Sequence, residues 1–283
     1  MAHYAVVRYK NEINKLNLTL LNPGELNIFI AMLALVKNKG IEKIEVDYDN
    51  FRKMARVDKN VNDNEFGSMV VNTLSKVGAG SMILDTDEKF MMFAIFDRVE
   101  VDKVTKKMSF NLSDTFVTYF NNFLTNYTSF PLNDFIEIKS KYAKLLYKTL
   151  MQFNGSGRYY ENYDKFVNEV LEVPQSTARN NINYKYITPS VERIRMAGAI
   201  PDLRVNLIKK QNKTIAVEFT WTPINIGDKA KQSSADIDNF YDALNKKDKK
   251  KKVQEVLSDE EWNEYINSSN VKDEESPDDD LPF

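Results

Sequence analysis

The sequence predicts an α+β fold of two tandem winged-helix domains followed by a partly disordered acidic C-terminal tail. An order of helix, strand, two helices and hairpin occurs twice, and hydrophobic residues make up 42% of the 283 residues, enough for a packed core. The end of the chain is polar and acidic, a composition typical of disorder. We expect a first winged-helix domain over 1–126, a second one over 127–225, a linker with a Lys-rich and a short helical segment over 226–272, and an acidic tip over 273–283.

Hydrophobic periodicity predicts the elements of the first copy. These are, in order, a helix over 22–38, a strand over 41–46, helices over 47–57 and 64–78, and strands over 81–86, 89–104 and 106–113. Pro23 lies just inside the start of the first helix, where its missing N–H is not needed. Asn64 is the expected N-cap of the third helix, and Gly78 is its expected stop. We interpret the strands as the wing hairpin of a three-helix domain.

The second copy repeats this order after a strand over 127–132. Its predicted elements are helices over 139–153, 160–173 and 175–198 and a hairpin over 203–223 that turns at Gln211 and Asn212. The first of these helices has five apolar or aromatic side chains on one face: Tyr142, Leu145, Leu146, Leu150 and Phe153. The repeated order indicates an internal duplication of architecture.

The residue inventory disfavours most catalytic chemistry. The chain has no cysteine and one histidine, His3, so thiolate sites, multi-histidine metal sites and histidine-based triads are not expected. The sequence has no Walker-type phosphate loop, and a rolling-circle nuclease would need paired histidines. It also has no apolar run as long as a membrane span and no signal-peptide h-region. We expect a cytoplasmic, non-enzymatic protein without catalytic residues, cofactor, metal or membrane partner.

Positive charge is concentrated in the second copy. Residues 130–225 hold 14 bases and 9 acids, whereas residues 1–129 hold 16 of each and residues 226–283 hold 9 bases and 16 acids. A local basic excess suits a module that neutralises phosphates on a duplex. An ordinary soluble surface is the alternative interpretation of an excess of this size.

Three segments carry a resemblance to a known family. They are SKYAKLLYKTLMQF, NYKYITPSVERI and the apolar strand TIAVEFTW, which begin at residues 140, 183 and 214. These segments occur in the order found in plasmid replication initiator (Rep) proteins with two tandem winged-helix domains, and the chain resembles that family over roughly 15–223. The resemblance implies binding to repeated double-stranded origin sites, called iterons, and recruitment of host replication proteins.

The resemblance also implies a DNA-binding site in the second copy. The recognition helix of a winged helix lies in the major groove, and the segment STARNNINYKY, residues 176–186, is the candidate for it. We expect Ser176 and Thr177 to cap this helix and to contact phosphate. The other candidates are Arg179, Asn180, Asn181 and Asn183 for base edges, and Lys185 and the wing lysines Lys209, Lys210 and Lys213 for phosphate. A solvent-exposed face with solubilising lysines is the alternative.

The third helix of the first copy offers a second, weaker candidate surface. Its polar residues are Asn62, Asn64, Ser68, Asn72 and Lys76. Because the first copy is electroneutral, we also expect it to serve partly in forming a homodimer.

The last six residues resemble the C-terminal tip of bacterial single-stranded DNA-binding proteins. They are Asp278, Asp279, Asp280, Leu281, Pro282 and Phe283. In that family the tip recruits genome-maintenance proteins, so the resemblance implies host replication or primosome proteins as partners. The Phe283 ring would enter an apolar pocket while aspartates steer the tail to a basic rim. The alternatives are an acidic solubilising tail and a self-inhibitory phosphate mimic that folds over the basic domain. The Lys-rich segment 245–252 is either a DNA contact or part of a solvated helix.

The combined hypothesis is an origin-binding replication initiator of a plasmid or phage that recruits host proteins through its C-terminal tip. One alternative is a single-stranded DNA-binding or remodelling protein that uses the same tail. A second alternative is a transcriptional repressor.

Overall fold

The computed structural model describes residues 6–57, 60–77, 81–85, 90–120 and 125–226, with backbone only for 81–85 and 90–93. These residues fall within one compact unit over Met1–Ser233. The predicted linker, the Lys-rich segment 245–252 and the tip Asp278 to Phe283 lie outside the described residues.

The first copy comprises, in chain order, β1 (Val6–Lys10), α1 (Pro23–Val36), β2 (Ile44–Asp47), α2 (Tyr48–Ala55), α3 (Asp63–Lys76), β3 (Ser81–Asp85), β4 (Phe90–Ala94), β5 (Phe96–Asp102), β6 (Lys107–Leu112) and α4 (Asp114–Phe120). A 3₁₀ helix, Asn11–Lys15, follows β1. All residues of α1 from Glu25 to Val36 are buried, because the helix is apolar on nearly all sides. The predicted helices and the strand β2 are confirmed to within a few residues.

The second copy comprises β7 (Tyr127–Pro131), α5 (Leu132–Glu137), α6 (Lys141–Gln152), β8 (Arg158–Asn162), α7 (Tyr163–Lys165), α8 (Arg179–Ile182), α9 (Thr188–Met196), β9 (Arg204–Lys210) and β10 (Lys213–Thr220). Wider π-helical turns, Phe166–Val170 and Asn183–Ile187, extend α7 and join α8 to α9. We call the continuous helical segment 179–196 the recognition helix.

The two copies contain three-stranded antiparallel sheets of the same topology. The strand order is β2-β6-β5 in the first copy and β8-β10-β9 in the second, so the last strand of each copy lies in the middle. The first strand of each sheet lies directly before a helix, α2 in the first copy and α7 in the second, and the other two strands form the wing hairpin. The internal duplication of architecture is therefore confirmed in the sheet order as well as in the element order.

The strands over 81–112 divide between two sheets. β5 and β6 join β2, whereas β3 and β4 form a separate two-stranded sheet. The prediction of one wing hairpin from this stretch was therefore wrong. Alternation along the chain shows that a segment is a strand but does not identify its partner.

Helix boundaries differ from the predictions where capping side chains decide them. Asn62, not Asn64, caps α3: its side chain accepts a hydrogen bond from the Glu65 N–H at 2.9 Å, and the Glu65 carboxylate accepts one from the Asn62 N–H at 3.1 Å. This reciprocal pair is a capping box, which satisfies two otherwise unpaired N–H groups. The predicted helix over 160–173 begins only at Tyr163, because 158–162 pairs with β10 as strand β8.

The hairpin turn of the second wing confirms the prediction. Gln211 and Asn212 have φ of 49° and 61° between β9 and β10. Two successive residues of positive φ are typical of the type I′ turn, whose twist matches that of the flanking strands.

The N-terminal strand β1, which the sequence did not predict, pairs antiparallel with β7 from Val6 opposite Pro131 to Lys10 opposite Tyr127. The predicted domain boundary at residue 127 coincides with the start of β7, and the division into domains stays a prediction.

Helix α6 packs on the first copy through lysines. Lys141 donates to the Thr19 carbonyl, Lys144 donates to Asn27 Oδ1 at 2.6 Å and to the Phe135 carbonyl, and Lys148 donates to the Asn14 carbonyl at 2.8 Å. Burial lowers the pKa of Lys144 to about 7 and the pKa of Lys148 to about 8. Both ammonium groups donate to neutral amide or carbonyl oxygens, and burial disfavours the charged form of each.

Candidate nucleic-acid interface

The recognition helix is amphipathic. Its buried apolar side chains are Ile182, Ile187, Val191 and Ile194, and Ser190 is buried as well. The opposite side carries exposed polar and basic residues, among them Asn180, Lys185, Arg193 and Arg195. Two large side chains on the helix are also exposed, Tyr184 at 58% and Met196 at 86%. The helix therefore presents hydrogen-bonding, cationic and apolar groups to solvent, which are the groups that contact base edges, phosphates and thymine methyls.

Ser176 and Thr177 do not cap the recognition helix, so that prediction was wrong. Ala178 is the N-cap residue, in an extended conformation and without a side-chain cap. Residues before it form a turn in which the Thr177 N–H donates to the Pro174 carbonyl at 2.9 Å. Because this turn delays the helix, the Thr177 hydroxyl lies 3.4 Å from the Tyr186 hydroxyl instead.

Arg179, the first residue of the recognition helix, contacts three residues on two other elements of the second copy, α7 and β10. It forms an ion pair with Asp164 of α7, and Nη2 donates to the Thr214 carbonyl of β10 at 2.7 Å. Its guanidinium carbon also lies 4.6 Å from the centre of the Tyr163 ring. Burial raises the pKa of the Tyr163 hydroxyl, and the Arg179 charge opposes that shift.

The three candidate asparagines differ in exposure. Asn180 is exposed, whereas Asn181 and Asn183 are half-buried. The Tyr184 hydroxyl donates to Asn181 Oδ1 at 3.0 Å, and the Thr188 hydroxyl donates to Asn183 Oδ1 at 3.3 Å. These contacts restrain the orientation of both amides.

The wing places its basic residues around the hairpin turn. Lys209, Lys210 and Lys213 are all exposed, and Lys210 lies opposite Lys213 in the β9–β10 register. Lys185 on the recognition helix is exposed as well. The second copy therefore combines an exposed helix with a cationic hairpin, and the Arg179–Thr214 bond holds the two next to each other.

Sequence reasoning missed several residues of this surface. Arg193 and Arg195 lie on the same helix and are exposed, as is Arg204 at the start of β9. The first two lie within the predicted helix over 175–198, but the candidate DNA-binding segment ended at Tyr186. Nothing in the sequence singles out Asp164, because it lies 15 residues before Arg179 and the two meet only in the fold.

Several candidate residues of the first copy form contacts within the protein. Asn62 caps α3, Lys76 pairs with the buried Glu25 at 2.6 Å, and the Ser68 hydroxyl donates to the Asn64 carbonyl at 2.9 Å. Asn64 and Asn72 are exposed on the same helix beside Val71, which is 50% exposed.

The described residues offer neither a metal site nor a membrane-spanning helix. Among them, no group of three or more acidic or histidine side chains is arranged to hold a metal ion. Within the same part of the chain, no helix has the length and apolarity needed to cross a membrane.

Comparisons with known proteins converge. The family model described as Initiator Replication protein, WH1, matches residues 6–151. The probable replication protein rep of Bifidobacterium longum (strain NCC 2705) is 25% identical over 189 residues, which cover 66% of this chain and 63% of that relative. The crystal structure of Pi initiator protein in complex with iteron DNA matches with a TM-score of 0.65 at 13% identity, over 80% of this chain and 100% of that one. This likeness confirms the predicted winged-helix architecture.

Proposed function

Because the chain belongs to the initiator replication protein family, we propose that it initiates replication by binding repeated double-stranded origin DNA of a plasmid or phage. The names of its relatives support this role, since one is a probable replication protein and another was crystallised with iteron DNA. The observation that carries the proposal is the adjacency of the recognition helix and the lysine-bearing wing, joined by the Arg179–Thr214 hydrogen bond.

The proposed DNA contacts divide by chemistry. Asn180, Asn181 and Asn183 face base edges in the major groove, where an amide matches the donor and acceptor of adenine. Lys185, Lys209, Lys210 and Lys213 neutralise phosphates, together with the hydroxyls of Ser176 and Thr177. Arg179 belongs to the same interface at the junction of helix and wing. The role is one of binding in the cytoplasm and requires no cofactor or covalent step by the protein.

The proposed division of labour follows the predicted domains. Residues 127–225 supply the main duplex contacts, and residues 1–126 contribute a second surface or a homodimer contact. The linker over 226–272 connects them to the tip. The tip would recruit host replication or primosome proteins through Phe283 and the aspartates before it, and this part rests on the sequence resemblance alone.

The experiment that tests the duplex function is sequence-resolved selection with the full chain. A library of random and directly repeated duplexes, including DNA that flanks its own gene, is selected at two salt concentrations. We expect enrichment of a directly repeated duplex site, with binding that weakens as salt rises because phosphates are neutralised. Tight binding to any single strand without duplex preference would contradict the proposal and favour the single-strand alternative.

A further inference from the structure

Arg179 is held in a way that does not suit a residue that reads guanine. A guanine reader presents both Nη groups to the O6 and N7 atoms of the base. In this chain Nη1 faces the Asp164 carboxylate and Nη2 donates to the Thr214 carbonyl at 2.7 Å. Its flat face lies 4.6 Å from the centre of the Tyr163 ring, which is only 3% exposed.

Each contact partner of Arg179 is itself fixed by local structure. Asp164 lies in the first turn of α7, where the Asn162 side chain accepts a hydrogen bond from the Asp164 N–H at 2.9 Å. Thr214 lies where the register of β9 and β10 shifts, between Thr214 and Ala216. Such an irregularity takes backbone groups out of the regular ladder, so a side chain can bond to the Thr214 carbonyl.

The three partners belong to the elements that must be aligned for duplex binding. Asp164 and Tyr163 lie on the helix before the recognition helix, Arg179 is its first residue, and Thr214 follows the wing turn. A planar guanidinium presents its donors in a rigid fork to a carboxylate and a carbonyl, a fixed geometry that the rotatable ammonium of a lysine does not reproduce.

We propose that Arg179 is a positioning residue that sets the angle between the recognition helix and the wing through Asp164 and Thr214, and that it does not read a base. The proposal rests on the proposed duplex function for its effect on DNA. The exposed residues of the helix read the site, and the contacts of Arg179 keep the wing lysines in register with the phosphates.

The test compares the full chain with R179A, R179K, D164A and the D164A/R179A double variant. Binding is measured against the enriched duplex, against that duplex substituted at each base pair, and against an unrelated duplex, at several salt concentrations. R193A is the matched control, since Arg193 is an exposed arginine of the same helix. Circular dichroism melting of each variant verifies that it folds.

We expect R179A and D164A each to weaken specific binding by roughly fivefold to thirtyfold, the range for losing a charge-assisted network. The double variant should be no weaker than the weaker single variant, because both changes remove one network. D164A is the decisive variant, since removing a carboxylate near DNA would otherwise strengthen binding. R179K should keep the affinity for unrelated duplex but should not restore specific binding. R193A should lower the salt slope by about one, and it should not reduce the preference at base pairs throughout the site.

Two results would overturn the proposal. One is wild-type or tighter specific binding by D164A, with R179A losing preference at a single G·C pair only. The other concerns amide hydrogen exchange at Lys213 to Ile215, measured in the protein without DNA. The proposal predicts faster exchange there in D164A and R179A but not in R193A. Unchanged exchange there would show that Arg179 does not hold the wing. This second measurement decides the positioning role even if the wild-type chain selects no duplex, a result that would contradict only the proposed function.

Discussion

Lys144 and Lys148 are the two most deeply buried lysines of α6, with side chains that reach carbonyl and amide oxygens of Asn14, Asn27 and Phe135. Burial disfavours the charged form of each, so the pKa falls to about 7 and about 8 in the folded protein. The positive charge of Lys139 lowers the Lys144 value further, and the carboxylate of Glu172 partly offsets the shift at Lys148. Both groups therefore titrate near neutral pH, far below the range of a solvated lysine.

We predict that the folded state becomes more stable as the pH rises from 7 to 9. In this window the unfolded chain keeps both lysines protonated while the folded chain releases protons, so the free energy of unfolding increases, by about 2 kcal/mol or more. Below pH 7 the destabilising effect of the buried charges is fully present. Urea unfolding of wild type and K144M/K148M at several pH values measures the effect. The double variant should show a flatter pH dependence and K209M should behave like wild type; equal slopes in all three would contradict the prediction.

At the scale of elements, side chains close in sequence decide where helices begin, and distant pairing decides which strands form a sheet. The Asn62–Glu65 capping box starts α3 two residues before the predicted N-cap, Asn64. Over 81–112, by contrast, local alternation is the same for β3 and β4 as for β5 and β6, and only the pairing with β2 distinguishes them.

We predict that N62A lowers the free energy of unfolding by about 1 kcal/mol, because the Glu65 N–H loses its acceptor. N64A is the matched control. The Asn64 side chain is exposed and its backbone carbonyl is what accepts from Ser68, so that substitution should change stability by less than about 0.5 kcal/mol. Chemical denaturation of both variants measures the two losses in the free energy of unfolding. A larger loss in N64A than in N62A would contradict Asn62 as the N-cap and favour Asn64, the predicted one.

At the scale of the whole molecule, long-range contacts join the two copies. β1 pairs with β7, although 117 residues separate the facing residues Lys10 and Tyr127. Asn14 donates to Thr128 Oγ1 at 2.7 Å and to Gln152 Oε1 at 3.0 Å, and the α6 lysines reach the same part of the first copy. These contacts make helix α6 of the second copy also part of the packing of the first copy. The proposed duplex contacts lie elsewhere in the second copy, on the recognition helix and the wing.

We predict that deletion of Phe283 abolishes binding of host replication proteins while origin binding is unchanged. The apolar ring and the aspartates before it are the groups that a tip-binding pocket and its basic rim would capture, whereas the proposed duplex contacts lie before residue 226. Pull-down with host proteins that bind single-stranded DNA-binding protein tips and duplex binding are measured on the same preparation. The control is Asp278→Asn, which keeps Phe283 and should weaken binding of host proteins less than the deletion does. Loss of duplex binding on deletion of Phe283 would contradict this division of labour.

The amino-acid sequence alone was enough to predict the order of elements, the duplication, a hairpin turn at Gln211 and Asn212, and the family resemblance carried in part by SKYAKLLYKTLMQF. Periodicity, turn residues and short motifs are properties of neighbouring residues, so they can be recognised before the chain is folded. The folded structure was needed to show that 158–162 is a strand, that β1 pairs with β7, and that Arg179 contacts Asp164 and Thr214. Each of these depends on which distant groups meet when the core closes, and a side chain suited to a base edge is equally suited to a carboxylate and a carbonyl.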